Sequence, residues 1–359
     1  MQQSYWTPLP EENARAHAPA DYYPWFDGLR MALAIAVLLA YDGFIDWDRA
    51  TSLAIDVFFA LSGWLIGGIL LKVRPSNLPR FFFNRAVRIW VPYYLALALL
   101  VAIGLARENV PARWAEFMAY KALMVWNLFG ADSLAAFRTS ASLQEPGSHF
   151  WYVNAEEQFY LLAPLLLVLA PGWGRSILVW TLLAIGALVA GIYPAIVLGV
   201  LAALLAERWP RFQLQQAVRL GLVAVLLACV LAMASELAFE GASALAALTV
   251  VLLLAVPGKA TPLGRLLSGV SYPLYLNHWI GVLAAKTLLL PYGLQASGLR
   301  PFVACAISLL LAIVLYWWTD RRLLAHRSQW FSPLRGVMVM ALAYVMVCAG
   351  LLLGVFMRP

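Results

Sequence analysis

The sequence predicts an all-α protein: a polytopic transmembrane helical bundle with about ten core helices and an additional C-terminal span. Three observations predict it. Hydrophobic residues make up 63% of the 359 residues and charged residues only 12%, about half the charge that soluble domains carry. Mean hydropathy is +0.79. The apolar residues also fall in runs close to the ~20 residues that a ~30 Å hydrocarbon core requires. A net charge of +7 does not call for nucleic acid, because cytoplasmic loops of membrane proteins are enriched in Lys and Arg. Cys229, Cys305 and Cys348 are scattered through apolar segments without metal-ligand spacing, and they read as core residues. The first 24 residues lack an apolar h-region, so no cleaved signal peptide is expected.

Eleven spans follow from the runs, at about 27–47, 52–71, 86–106, 156–171, 175–191, 193–207, 217–235, 243–257, 267–290, 301–319 and 336–357. The segment 114–130, WAEFMAYKALMVWNLFG, is amphipathic and aromatic and reads as interfacial. Placing the N-terminus inside puts most of the 25 Lys and Arg residues on the cytoplasmic face, including the hairpin KVRPSNLPRFFFNRAVRIW and the segment 320–335. The loop 107–154 and the acidic 236–240 stretch then fall outside. Three regions result: a cytoplasmic segment 1–26, a membrane domain 27–319, and a basic segment with an additional span over 320–359. No internal repeat points to a transporter built from related halves.

The first span carries the strongest chemical signal. Only eleven uncharged residues separate Arg30 from Asp42, roughly 16 Å of helix, so one or both charges lie at membrane depth. Arg30 and Tyr41 are about three turns apart on one face. Snorkelling of Arg30 and a loop position for Asp42 form the plainer alternative. In the second span Asp56, Ala60, Gly63 and Gly67 share a face; the glycines suit close helix packing, whereas an intramembrane Asp56 needs a partner or water. Arg85 and Arg88 share a face at i, i+3, either as positive-inside anchors or as a clamp for an anionic donor.

The segment GSHFWYVNAEEQFYLLAP holds His149, Trp151, Glu156 and Tyr160. Asn154 followed by Glu157 resembles a helix start, which leaves Glu156 free, with Tyr160 one turn deeper. A His and a carboxylate at a membrane mouth suit acid–base work, and a solvated His with a surface Glu is the alternative. His278 lies near mid-membrane after Pro273, as a site group or as a buried neutral imidazole. Asp42, Asp56, His149 and Glu156 all fall in the outer half and are expected to converge on one polar funnel.

Five pieces in this order resemble the acyltransferase-3 superfamily of integral membrane O-acyltransferases: FDGLRMALAIAVLLAY, DVFFALSGWLIGGIL, RFFFNRAVRIWVPYYL, HFWYVNAEEQFYLLAPLLL and SYPLYLNHW. They run from Phe26 to Trp279. The resemblance implies an enzyme moving an acyl group from a cytoplasmic thioester, commonly acyl-CoA, to a hydroxyl of an extracytoplasmic carbohydrate. It also implies a multi-pass protein of the bacterial plasma membrane, with no tightly bound cofactor. Arg30, Asp56, Arg85, Arg88, Glu156 and His278 match motif positions of the family. The family signature places a catalytic His eleven residues after the Arg, and here that position is Tyr41. A tyrosine with pKa about 10 is a poor base at neutral pH.

The candidate catalytic set is therefore Arg30, Tyr41, Asp42, His149, Glu156 and His278, with Asp42, His149 or Glu156 as the displaced base. The candidate substrate-binding set is Asp56, Arg85, Arg88, Trp151 and Tyr160. No metal is expected. The expected partners are an acyl donor, a glycan acceptor, the bilayer and proteins of a glycan-assembly pathway, with no nucleic acid. Two other functions stay open: a catalytically silent scaffold in a glycan-assembly complex, and a conduit for a lipid-linked or acyl substrate.

Overall fold

The computed structural model describes residues 22–47, 49–106, 113–131, 147–235 and 239–357. The expected 1–26 segment lies outside these for nearly all of its length, as do much of the 107–154 loop and most of the acidic 236–240 stretch. The described residues are helical, with no strand among them. In chain order the helices are α1 (Trp25–Tyr41), α2 (Ala50–Leu70), α3 (Leu78–Leu105), α4 (Trp114–Ala122), α5 (Trp126–Phe129), α6 (Phe150–Pro164) and α7 (Ile177–Ala190). There follow α8 (Pro194–Arg208), α9 (Gln216–Ala234), α10 (Phe239–Leu254), α11 (Pro262–Leu289), α12 (Arg300–Leu315), α13 (Arg321–Trp330) and α14 (Pro333–Met357).

Five helical stretches among the described residues are long and apolar enough to cross a membrane: Ala50–Leu70, Pro75–Leu105, Gln216–Ala234, Arg300–Trp330 and Pro333–Met357. The helices that carry the polar candidates are shorter or more polar. Helix α1 has 17 residues and ends at Tyr41, before the expected end at 47, because the chain turns at Asp42–Gly43. Gly43 has φ +79° there, in the left-handed region that glycine enters without cost.

Helix α6 begins at Phe150, several residues earlier than the Asn154–Glu157 pattern indicates. Asn154 is not a cap. It lies inside the helix, its Oδ1 accepting from the Trp126 N–H at 3.0 Å and its Nδ2 donating to Tyr93 Oη at 2.9 Å. A buried backbone N–H left without a partner costs more than a surface cap gains, so the side chain serves α5 instead. Beyond Pro164 the helix continues as a π-helical turn, Leu165–Leu169. A second π turn, Tyr316–Asp320, joins α12 to α13.

Close approach is built on glycine. Along α2, a Cβ at Gly63 would run into the Ile196 carbonyl of α8, and one at Gly199 would sit 2.8 Å from Trp64 N and 2.9 Å from Gly63 Cα. Ala203 and Val200 meet Gly67 one turn on. Helix α11 lies as tightly on α12, with Gly281 facing Ser308 and Ala304. The α4–α5 segment, expected at the interface, packs inward, with Lys121 and Trp126 fully buried. Its amphipathic face meets protein, because α14 covers it from outside: Gly350 abuts Val125 and Leu123, and Gly354 abuts Phe129.

Candidate active site

The last turn of α1 meets α11 and the residues leading into α6. The Tyr41 ring stands edge-on to His278, centroids 5.0 Å apart, and to His149 at 6.3 Å. The two imidazoles are 4.5 Å apart. His278 is 0% exposed and His149 5%. Three residues drawn from separate segments thus form one cluster.

Backbone carbonyls fix the tautomers. His278 Nδ1 lies 2.8 Å from the Tyr275 carbonyl oxygen and His149 Nε2 lies 3.2 Å from that of Leu276. A carbonyl only accepts, so each of these nitrogens carries the hydrogen. The opposite nitrogens, His278 Nε2 and His149 Nδ1, are then lone-pair bearing, buried and without a hydrogen-bond partner among the described residues. Tyr275 ties both residues down, since its hydroxyl also donates to the His149 carbonyl at 2.7 Å.

An aromatic layer follows. Tyr275 packs on Tyr152 at 5.5 Å, Tyr152 on Phe59 at 4.8 Å and Phe59 on Tyr193 at 5.2 Å. Trp151 stacks on Tyr193 and is 2% exposed, as a wall of this layer. Next comes Glu156, whose carboxylate accepts from both Ser62 and Tyr160. Its neighbour Glu157 accepts from Trp90 Nε1 at 3.0 Å. The Arg85 guanidinium stands 5.2 Å from the Tyr160 ring centroid and 5.7 Å from that of Phe81, turned into the bundle. Arg88 lies on α3, the helix that packs against the Tyr316–Asp320 π turn. At the start of α1, Arg30 Nη1 is 3.4 Å from Ser268 Oγ and 4.0 Å from Asp27.

The four groups expected to share one outer funnel have different partners. Asp42 forms an ion pair with Arg300, Nε to Oδ2 at 3.1 Å, and Arg300 also donates to the Asp42 carbonyl. Asp56 accepts from Ser243 of α10 at 2.6 Å. Only His149 joins Tyr41, while Glu156 belongs to the layer with Arg85 and Tyr160. Sequence reading missed Arg300, Ser62, Ser243 and Tyr275. Arg300 opens an apolar run and reads as an interfacial anchor, and nothing local marks a hydroxyl that serves a carboxylate on another helix.

A family model described as an acyltransferase domain matches residues 23–317. The chain belongs to the acyltransferase-3 family. The cluster, the Glu156 layer and the arginines all lie within the matched residues of this acyltransferase-3 chain. Among curated relatives, the peptidoglycan O-acetyltransferase OatA of Listeria monocytogenes is 29% identical over 161 residues, 43% of this chain and 26% of its own length. The putative peptidoglycan O-acetyltransferase YrhL of Bacillus subtilis is 30% identical over 41% of this chain and 24% of its own length. The putative membrane-bound transacylase BcsY of Komagataeibacter xylinus is 28% identical over 40% of this chain and 37% of its own length. This acyltransferase-3 chain therefore aligns with only 24–37% of the length of these relatives. No solved structure matches it.

Proposed function

We propose that the chain is an integral membrane O-acyltransferase, moving an acyl group from a cytoplasmic thioester to a hydroxyl of an extracytoplasmic carbohydrate. The observation that carries this reading is the His149–His278 pair, with two buried imine nitrogens beside Tyr41. Where the family places a catalytic histidine, this chain has a tyrosine, and two imidazoles from α11 and the start of α6 stand against it. In the proposed reaction the acceptor oxygen attacks the thioester carbonyl and its proton passes to the histidine pair. The C–O bond forms, the C–S bond breaks, and the thiolate leaves to take up a proton. Tyr41 serves as a hydroxyl donor to the developing oxyanion or as a wall of the pocket.

Arg30 lies about 16 Å from Tyr41 along α1. A donor whose anionic end rests near Arg30 therefore needs a thiol-bearing arm of about that length, and acyl-CoA has one. An open depression of about 400 Å³, lined by Lys286, Thr287, Leu290, Gln295, Ala296 and Arg300, lies beside the Asp42–Arg300 pair. The named activities of OatA and YrhL support a glycan acceptor, and glycan-assembly proteins are the partners this reading suggests. We place the N-terminus in the cytoplasm from the distribution of Lys and Arg, and the protein in a bacterial plasma membrane from its likeness to bacterial relatives.

The alternative is a silent scaffold, and Tyr41 is what favours it. Purified full-length protein incubated with radiolabelled acetyl-CoA and peptidoglycan fragments separates the two. Label in the acceptor is the expected result. Its absence with peptidoglycan and polysaccharide acceptors alike, in protein shown to be folded, would favour the scaffold.

A further inference from the structure

Among the described residues, the buried side-chain atoms without a hydrogen-bond partner can all accept a bond, with one exception. The exception is Trp279 Nε1, because an indole N–H only donates. The residue is 2% exposed. Trp90, Trp126 and Trp180 each set this group on an oxygen, of Glu157, Ser148 and Gly174, at 3.0, 3.0 and 2.7 Å. A buried donor without a partner is costly and calls for an explanation.

Helix geometry puts Trp279 beside the cluster. Helices α1 and α11 pack side by side and run in the same direction, since Arg30 meets Ser268 and Tyr41 meets His278. Arg30 and Tyr41 are eleven residues apart, and so are Ser268 and Trp279. Eleven residues make about three turns and return to within about 20° of the starting direction. Trp279 thus occupies the α1-facing side of α11 at the depth of Tyr41. Its neighbours on that stripe agree. Tyr275, four residues before, donates to the His149 carbonyl at 2.7 Å. Val282, three residues after, belongs to the apolar cluster on which Tyr41 packs.

We propose that Trp279 is a further catalytic residue, its indole N–H donating to the acyl carbonyl oxygen as that oxygen becomes an oxyanion. The inference rests on the transferase reading above. Attack by the acceptor oxygen forms the C–O bond and moves the carbonyl π pair onto the carbonyl oxygen, while the acceptor proton goes to the histidine pair. Collapse of the intermediate restores the carbonyl, and the C–S bond breaks with its electrons on the departing thiolate. The carbonyl oxygen is fully charged only between these steps, and a donor already fixed in a buried site acts most strongly at that moment. The free nitrogens of His149 and His278 carry lone pairs, so the donor comes from another side chain. Tyr41, on the facing helix, is the other group that can donate there.

The experiment reads the indole directly by NMR, in full-length protein carrying ¹⁵N-tryptophan at its 15 positions, with Trp279→Phe assigning the resonance. The probe is acetonyl-dethio-CoA, which keeps the acyl carbonyl and has a methylene in place of the thioester sulfur. Its binding should move the Trp279 indole proton downfield, and coenzyme A without an acyl group should leave it in place. For the rate, 3-benzothienylalanine incorporated at position 279 keeps the shape of the ring and puts sulfur where the N–H was. This protein should lose about 10²–10³-fold in kcat, the range for one oxyanion donor, with KM for acetyl-CoA close to wild type. An unmoved resonance with the analogue bound, or benzothienyl protein within about threefold of wild type in kcat, overturns the inference and leaves the transferase reading standing. Wild type that neither binds the analogue nor transfers acetyl overturns both.

Discussion

Removing the Arg300 guanidinium should disable the outer end of α1. The Asp42 side chain is 0% exposed and its Oδ2 is paired with Arg300, whose own side chain is 23% exposed. Its other oxygen, Oδ1, is buried without a partner among the described residues. Arg300 is therefore the cation that compensates this carboxylate. Its Nη2 also holds the carbonyl with which α1 ends, next to Tyr41. In Arg300→Met the carboxylate stays buried and loses its countercharge, a change that costs about 3–5 kcal/mol. At roughly 2 °C per kcal/mol for a chain of this size, the melting midpoint in detergent should fall by about 6–10 °C. Tyr41 should also lose its register against His278, and acyl transfer should fall with it. The double variant Arg300→Met, Asp42→Asn removes the stranded charge and should recover most of the lost stability. Differential scanning fluorimetry on the wild type, both single variants and the double variant closes the cycle. An Arg300→Met protein that melts with wild type, or a double variant no better than it, would refute the view that this pair compensates a buried charge.

Four other outcomes follow. Tyr41→Phe should slow acyl transfer by no more than a few kcal/mol of transition-state stabilisation, since the ring still packs on His278 and only a hydroxyl donor is lost; steady-state rates check this. Gly199→Ala sets a Cβ against the backbone of α2 at Trp64 and Gly63 and should destabilise by roughly 1–3 kcal/mol or more. Gly28→Ala, with nothing within 4 Å, should melt like wild type. Cysteines placed at 77 and 296 should be labelled from opposite sides of the membrane by an impermeant maleimide.

Much of the architecture is legible in the run lengths, because a bilayer allows few solutions for a chain this apolar. Boundaries failed where a side chain had a better use than capping. Asn154 looks like a helix start until the buried Trp126 N–H is seen to need its oxygen. The members of the cluster were legible one at a time: Tyr41 and His278 stood out by spacing and by resemblance, and His149 by its place at a membrane mouth. What no local pattern shows is which polar groups meet. Asp42 and Arg300 are 258 residues apart in the chain, and Asp56 and Ser243 are 187 apart. Lys121 was hidden differently, since a nine-residue amphipathic helix reads as interfacial until α14 is found to cover it. The charged residues were visible one at a time; their partners came only from the packing.

The central claim is that the two histidines, and not Tyr41, take the proton from the acceptor. Its most direct test is the rate of acyl transfer by His149→Gln and His278→Gln, each compared with wild type and Tyr41→Phe under saturating donor. The account predicts a loss of about 10²–10⁴-fold for each histidine variant and a much smaller loss for Tyr41→Phe. Either histidine variant within about threefold of wild type, or Tyr41→Phe alone abolishing transfer, would contradict it.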